Sequence, residues 1–157
     1  MTTILAIPGS WRSGSYNLAL ARAAQALAPA GCTVELASIA AIPIYDGDSE
    51  AAQGVPAPVA GLKDRIAAAD ALLLVTPEYN NSVPGPLKNA IDWLSRPASD
   101  LARVFGDKPT GLIGASPGPG GTRLAQAAWL PVLRLLGTRP WFGKSVYVAD
   151  AGKAFDA

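Results

Sequence analysis

Residues 70–95 read DALLLVTPEYNNSVPGPLKNAIDWLS and contain three kinds of segment in succession. Residues 70–75 form a short apolar run, which is typical of a strand that is buried on both faces. Residues 76–86 follow as a loop with three prolines and two asparagines. Residues 87–95 then repeat leucine and isoleucine at helical spacing. The stretch therefore predicts a strand, a stiff loop and a helix in that order.

The same alternation extends outward along the chain in both directions. Short apolar runs predict five strands, and segments with a helical apolar stripe predict four helices between them. The strands are expected at 3–7, 33–37, 70–75, 110–115 and 145–149, and the helices at 17–28, 59–69, 87–95 and 122–136. Strands that alternate with helices favour a parallel sheet with helices on both faces. We therefore expect residues 1–157 to form a single α/β domain.

Two segments depart from this regular pattern. Residues 38–58 form a long connection with three prolines and two glycines, and such long loops are usually functional or mobile. After the strand at 145–149 the chain reaches Ala157 without room for a fifth covering helix. We expect that C-terminal helix to be missing, either because the sequence is cut back or because a partner covers that face.

Composition excludes several kinds of chemistry. The sequence has no histidine, which removes Ser-His-Asp and Cys-His catalysis and histidine metal ligands. The single cysteine, Cys32, removes intrachain disulfides, cysteine-held iron–sulfur clusters and zinc fingers. We therefore expect no metal site, and redox chemistry would need a borrowed cofactor.

Charge and hydropathy also restrict the partners. Lysine and arginine number 13 against 12 aspartates and glutamates, so neither a nucleic acid nor a membrane surface is an expected partner. No signal peptide is recognised, and no apolar run approaches the roughly 20 residues that span a bilayer. We expect a cytoplasmic protein. Only 16% of the residues are charged, which favours an oligomer interface.

The loop at 8–17, PGSWRSGSYN, leaves the first predicted strand and opens a helix. Its serines offer hydroxyl donors, the helix start offers free N–H groups and a positive dipole end, and Arg12 adds a charge. These groups suit one phosphate. The loop contains neither GxxxxGK[ST] nor GxGxxG, which disfavours ATP and Rossmann-type dinucleotide binding. A serine-rich helix cap without a ligand is the alternative.

Two more loops follow predicted strands at the sheet edge where open parallel sheets bind ligands. The loop at 76–86 offers an aromatic ring, a carboxylate, amides and a hydroxyl on a backbone that prolines stiffen. The loop at 116–121, SPGPGG, has three glycines that allow the backbone to approach a flat ring closely. Each could be an ordinary turn, but three such loops at one edge favour a mononucleotide with a flat ring.

Three motifs carry a resemblance to a known family: PGSxRxGSxN at 8–17, PEYNxS at 77–82 and PLKNAIDW at 86–93. Together they resemble the NAD(P)H-dependent FMN reductases, flavodoxin-like flavoproteins that include quinone, azo-dye and chromate reductases. The resemblance covers residues 4–156 and implies a doubly wound five-stranded sheet of order 2-1-3-4-5. The third loop matches the family less closely, through Ser116, Gly118, Gly120, Gly121 and Arg123 at compressed spacing.

The resemblance implies a noncovalent FMN and either NADPH or NADH as the electron donor. The FMN phosphate would be held by Ser10, Arg12, Ser15, Tyr16 and Asn17. The ring and ribityl chain would be lined by Pro77, Glu78, Tyr79, Asn80 and Ser82, with Ser116 and Gly118 closing the far side. No side chain is expected to be an obligatory acid or base, because the flavin carries the electrons. Donor and small-molecule acceptor would then react in turn, in ping-pong fashion.

The resemblance also implies that the helix carrying Trp93 lies at a dimer interface, so a homodimer or homotetramer is expected. Two other functions stay open. One is an FMN-binding electron carrier without its own NAD(P)H reductase activity, although such carriers are usually acidic and this chain has a net charge of +1. The other is a non-redox module that binds a phosphate-bearing ligand.

Overall fold

The computed structural model describes residues 1–155, which contain six strands and seven α-helices. The strands are β1 (Thr2–Pro8), β2 (Cys32–Leu36), β3 (Ala71–Val75), β4 (Pro109–Ala115), β5 (Arg139–Pro140) and β6 (Val146–Val148). The helices are α1 (Tyr16–Ala26), α2 (Gly47–Gln53), α3 (Ala57–Ala68), α4 (Gly85–Leu94), α5 (Leu101–Phe105), α6 (Arg123–Leu135) and α7 (Ala151–Phe155). None of the helices in this range is long and apolar enough to cross a membrane.

The sheet has the predicted order and the predicted parallel pairing. β1 lies between β2 and β3, with Ile4 opposite both Val34 and Ala71. β4 pairs with the other side of β3, and the fifth position of the sheet lies beyond β4. Because these strands all run the same way, the loops after β1, β3 and β4 leave the same edge of the sheet.

The strand at the β4 edge differs from the single strand predicted at 145–149. β5 pairs with the first half of β4 and β6 pairs with its second half, both in parallel. Residues 141–145 join them as a loop that carries Trp141 and Phe142, which are 61% and 70% exposed. The prediction missed β5 because an Arg-Pro pair carries no apolar pattern, and proline is tolerated at such an edge because it need not donate to the ladder.

The sequence led us to expect no C-terminal helix, but the structure contains a short one. α7 spans five residues and lies against α1, where the ring of Phe155 stacks on Tyr16 with centroids 6.0 Å apart. Residues 156 and 157 lie outside the described range. The turn that starts α7 is made by Asp150, whose φ of 46° no apolar pattern could indicate.

Alternate residues of each strand enter two apolar layers. Leu5 and Ile7 of β1 pack on one face of the sheet against residues from α3, α4, α5 and α6. Ala6 packs on the other face together with Ala21 of α1. Each layer removes apolar surface from water at about 25 cal/mol per Å². α6 contributes Trp129 to the first layer and continues through Pro131 without a break.

The long connection at 38–58 contains α2 and is fastened to α4. Asn89 accepts from the backbone N–H of Tyr45 and donates to the carbonyl of Pro43, over 2.8 Å in each case. The indole Nε1 of Trp93 donates to the same carbonyl at 3.0 Å. Trp93 is 2% exposed within the chain and so belongs to its core, while the dimer interface expected at this helix stays a prediction.

A polar cluster closes the other end of that connection. The Tyr45 hydroxyl donates to the Glu50 carboxylate at 2.9 Å, and Arg96 donates to it as well. These two donors lower the pKa of Glu50, with the Tyr45 bond the larger cause. The cluster lies on α2 and after α4, apart from the loops at the carboxyl edge of the sheet.

Candidate functional site

The loops after β1, β3 and β4 enclose two adjoining clefts at the carboxyl edge of the sheet. The first cleft has a volume of about 340 Å³ and is lined by Ser10, Arg12, Ser15, Tyr16, Asn17, Pro77, Glu78, Tyr79, Ala115, Ser116 and Pro117. The second has about 870 Å³ and is lined by Glu78, Asn80, Asn81, Ser116, Gly118, Pro119, Gly120, Gly121, Arg123 and Leu124. Glu78 and Ser116 belong to both walls, so the two clefts form one continuous site.

The structure brings together all but one of the residues that the sequence indicated. Ser82 lines neither cleft. Its backbone N–H and carbonyl instead exchange hydrogen bonds with Tyr79 at 3.0 and 3.2 Å, which closes the loop at 76–86 into a tight hairpin. Asn80 and Asn81 form the tip with φ of 51° and 59°, a left-handed conformation that asparagine tolerates better than most residues.

The first and second loops lie very close together at the base of the site. A Cβ atom on Gly9 would lie 2.7 Å from the Cδ of Pro77 and 3.1 Å from the Leu87 side chain. Only glycine fits such an approach. This close approach to Pro77, rather than the conformation of the turn, explains why residue 9 is a glycine.

The start of α1 forms one end of the first cleft. Ser15 is the N-cap, and its hydroxyl accepts a hydrogen bond from the N–H of Leu18 at 3.2 Å. That hydroxyl keeps its own proton to donate, and the first turn of the helix contributes free N–H groups and a positive dipole end. Ser10 adds a second hydroxyl to the wall. These donors converge on a space that suits one phosphate group.

Arg12 supplies the positive charge of the first cleft. Its guanidinium lies over the Tyr16 ring, 6.0 Å from the centroid, and donates to the carbonyl of Ser13 at 3.1 Å. Within residues 1–155 it forms no ion pair with a carboxylate. Its charge is thus available to an anion.

Asn17 has a structural role that the sequence did not indicate. Its side chain is buried, its Nδ2 donates to the carbonyl of Ala115 at 2.8 Å, and its Oδ1 accepts from the N–H of Ala115 at 3.0 Å. This two-point pairing ties the first turn of α1 to the end of β4. We expect Asn17 to act mainly by fixing the distance between two walls of the cleft.

Glu78 also has a role that the local sequence could not reveal. Its Oε2 accepts from the backbone N–H of Ala125 at 2.9 Å, whereas the N-cap of α6, Thr122, makes no capping bond of its own. The Glu78 carboxylate therefore caps α6 from a different loop, as a negative charge at a helix N-terminus should. It joins the loop at 76–86 to the one at 116–121.

The loop at 116–121 presents mainly backbone to the second cleft. Ser116 Oγ accepts from the N–H of Gly118 at 3.2 Å, which gives the turn its shape. Gly121 has a φ of 62° and lies against Tyr147, where a Cβ would come within 3.0 Å. Arg123, two positions after Gly121, also lines the second cleft, and the family resemblance of the third loop had indicated it.

The donors present fit a flavin mononucleotide. Two hydroxyls, a helix start and one unpaired arginine at the first cleft match one phosphate. Pro119 and the backbone of three glycines in the second cleft allow a planar ring to approach closely. No second cluster of hydroxyls beside a helix start lines the second cleft, so the described walls give no reason to expect a dinucleotide.

Comparison with known proteins agrees with this geometry. The sequence model of the NADPH-dependent FMN reductase family matches residues 2–153. An NAD(P)H-dependent FMN reductase of Pseudomonas aeruginosa is 46% identical over 154 residues, which are 98% of this chain and 81% of that protein. A 2-hydroxy-1,4-benzoquinone reductase of a Burkholderia species is 44% identical over 124 residues, which are 79% of this chain and 66% of that protein.

A solved structure extends the agreement to three dimensions. FerB, a flavoenzyme NAD(P)H:(acceptor) oxidoreductase from Paracoccus denitrificans, superposes with a TM-score of 0.85 at 39% sequence identity. The match covers 94% of this chain and 79% of FerB. The family resemblance carried by the three motifs is thereby confirmed. The chain belongs to the NADPH-dependent FMN reductase family, and it is an oxidoreductase that uses FMN with NAD(P)H as its electron donor.

Proposed function

We propose that this protein transfers a hydride from NAD(P)H by way of bound FMN to a small quinone, in a ping-pong sequence. The observation that carries this proposal is the pair of adjoining clefts, one lined by phosphate donors and the other larger and lined by two loops and the start of α6. Bound FMN would supply the hydride chemistry, and the chain would supply position and electrostatics.

At the first cleft we propose that Ser10, Arg12, Ser15 and Tyr16 hold the FMN phosphate at the start of α1. Asn17 keeps that helix at a fixed distance from β4 through its two bonds to Ala115. The charge-assisted contact from the Arg12 guanidinium is expected to be the strongest single contribution.

Where the two clefts adjoin, we propose that Pro77, Glu78 and Tyr79 of the first cleft and Asn80 of the second line the ring and ribityl chain, with Ser116 and Gly118 on the far side. Backbone N–H groups of both loops would stabilise negative charge that develops in the site during transfer. Ser82 would act through the hairpin it closes with Tyr79.

The second cleft would receive the donor and the acceptor one after the other. Its walls contain a carboxylate, Glu78, but that group is engaged with the N–H of Ala125. Hydride transfer also needs no proton to be removed from the nicotinamide carbon. We therefore assign no side chain the role of an obligatory general base.

Quinones are the acceptor class best supported. The Burkholderia relative is named for reduction of 2-hydroxy-1,4-benzoquinone, and FerB for an unspecified acceptor. A flat, weakly polar acceptor fits the second cleft, which is bounded in part by Pro119 and by glycine backbone. Azo and nitro compounds, metal oxyanions and free flavin are the alternatives to be compared.

The test is carried out on the purified protein with its flavin bound. Anaerobic addition of NADPH or NADH should abolish the visible flavin absorbance, and a benzoquinone added next should restore it. Initial rates at several fixed quinone concentrations should give parallel double-reciprocal lines. Intersecting lines would contradict the ping-pong sequence, and quinone turnover below that of every alternative acceptor would contradict the choice of quinones.

The same experiment separates the other two functions. An electron carrier would contain flavin whose absorbance NADPH and NADH leave unchanged. A non-redox module would be colourless and would release no flavin on denaturation. Either result would overturn the proposed reaction.

We further propose that residues 1–157 work as one domain in a homodimer or homotetramer in the cytoplasm, where Cys32 would stay a thiol. Support comes from exposed apolar side chains, which include Ile44 and Leu135 at 81% and 83% exposure. Light scattering at micromolar concentration should return a multiple of the 16.1 kDa chain mass. A species near 16.1 kDa would contradict the assembly.

A further inference from the structure

We propose that a cavity beside the second cleft binds the 2′-phosphoadenosine end of NADPH and thereby gives NADPH an advantage over NADH. This edge cavity has a volume of about 590 Å³ and lies between α6, β4 and the loop at 141–145. Its lining includes Arg123, Gln126, Trp141, Phe142, Lys144 and Tyr147. The inference rests on the proposed position of the donor in the second cleft.

The edge cavity carries positive charge that the described part of the chain does not neutralise. Arg123 and Lys144 are among its lining residues, and no aspartate or glutamate is. Neither cation forms an ion pair with a described carboxylate, whereas Arg65, Arg96 and Arg103 all do. Two unpaired cations that face one cavity are suited to a phosphate dianion.

Aromatic rings supply the second recognition element. The Arg123 guanidinium lies 5.6 Å from the centroid of the Tyr147 ring, which orients it by a cation–π contact. Trp141 and Phe142, on the loop between β5 and β6, are largely exposed beside it. Purine bases stack on aromatic side chains of this kind. The cavity thus combines what a phosphate needs with what an adenine needs.

The edge cavity adjoins the second cleft, in which we place the reaction. Arg123 lines the second cleft as well as the edge cavity, so the two spaces meet at its side chain. A donor whose nicotinamide lies in the second cleft must place its other end elsewhere. NADPH carries a 2′-phosphate and an adenine at that end, and NADH lacks the phosphate. The edge cavity therefore matches the part of the donor in which the two differ.

Kinetics with both donors test this assignment. The double variant Arg123→Ala, Lys144→Ala should lower kcat/KM for NADPH about tenfold to a hundredfold, mainly through KM, because charge-assisted contacts are lost. The value for NADH should fall much less, because NADH has no 2′-phosphate for these two cations to bind. Arg134→Ala, an exposed arginine of the same helix that does not line the cavity, should change neither donor. Arg123→Lys with Lys144→Arg, which keeps both charges, should retain most of the NADPH advantage.

Binding of a fragment provides a readout that is independent of turnover. Adenosine 2′,5′-bisphosphate should bind the wild-type holoprotein more tightly than adenosine 5′-phosphate in titration calorimetry, and the double variant should abolish that difference. All three substituted side chains are exposed, so unchanged flavin content and thermal midpoint are expected controls. Equal losses for NADPH and NADH, or an unchanged bisphosphate preference, would overturn the assignment. If no protein oxidised either donor, the proposed reaction would fall, and the calorimetry would still decide for or against the edge cavity.

Discussion

The two clefts keep their shape by different means. In the first, buried polar side chains are fixed to the backbone, with Ser15 capping α1 and Asn17 paired twice to Ala115. In the second, the walls are turns and backbone, and one side chain, Glu78, ties them to α6. A set of donors that is already held in place pays little ordering cost on binding a fixed group. Walls made of turns suit ligands that enter and leave.

The largest effect is expected when the first cleft loses the two hydrogen bonds between Asn17 and Ala115. Asn17→Ala would leave the N–H and carbonyl of buried Ala115 without partners, at about 1–3 kcal/mol for each group. We expect the free energy of unfolding to fall by about 2–4 kcal/mol and FMN binding to weaken with it. Urea unfolding of the flavin-free protein measures the first and fluorescence titration the second.

Gln25→Ala is the matched control, because this amide on the same helix makes a single bond, to the carbonyl of Val34 at 2.9 Å. It should cost about 1 kcal/mol or less and leave FMN affinity unchanged. If Asn17→Ala were no more costly than Gln25→Ala, the rigid character of the first cleft would have another origin.

The next largest effect is expected from removing a charged side chain that does not stabilise the fold. Arg12→Ala should weaken FMN binding about tenfold to a hundredfold, since hydrogen bonds to charged groups contribute about 1.5–3 kcal/mol. Its side chain is exposed, so the thermal midpoint should not move. Arg22→Ala, on an exposed arginine of α1 outside both clefts, should leave FMN affinity as it is. Equal effects of the two substitutions would mean that only overall charge matters.

A smaller effect is expected at Glu78, whose carboxylate joins the second cleft to α6. Glu78→Ala removes the cap of α6 and should destabilise the chain by about 0.5–2 kcal/mol. Glu78→Gln keeps an oxygen for the N–H of Ala125, so turnover with saturating FMN should stay within about tenfold of wild type. A general base would account for about 10²–10⁴-fold. Collapse of turnover in fully flavin-loaded Glu78→Gln would show that a proton step on the acceptor depends on this carboxylate.

The smallest effect is expected outside both clefts. Lys88 and Asp92 form an exposed ion pair one helical turn apart on α4, at 2.7 Å. Lys88→Gln should change the free energy of unfolding by only about 0.3–0.5 kcal/mol and leave FMN affinity unaltered. A change in FMN affinity as large as that of Arg12→Ala would show that α4 communicates with the site.

The sequence allowed the sheet order and the convergence of the three loops to be predicted, because both follow from alternating patterns and from local motifs. It did not reveal the bond between Glu78 and Ala125 or the pairing of Asn17 with Ala115, since those partners are 47 and 98 positions apart. Contacts at such separations leave no periodic trace in a single sequence.

Other differences arose where tertiary packing overrides local pattern. α2 forms in a stretch rich in proline and glycine because Asp46 caps it and Glu50 is held by Tyr45 and Arg96. The edge strand is interrupted between β5 and β6. Residues 141–145 join these two strands, whereas only residues 111 and 112 of β4 lie between the residues with which they pair. The cover of Trp93 by the connection at 38–58 depends on a bond to Pro43, 50 positions away, which local pattern does not indicate.

The affinities of FMN and riboflavin for the flavin-free protein test the central claim most directly, because the two ligands differ only in the phosphate assigned to the first cleft. FMN should bind at least tenfold more tightly than riboflavin, and Arg12→Ala should remove most of that difference while riboflavin binding stays unchanged. Equal affinity of the wild-type protein for FMN and riboflavin would contradict the account.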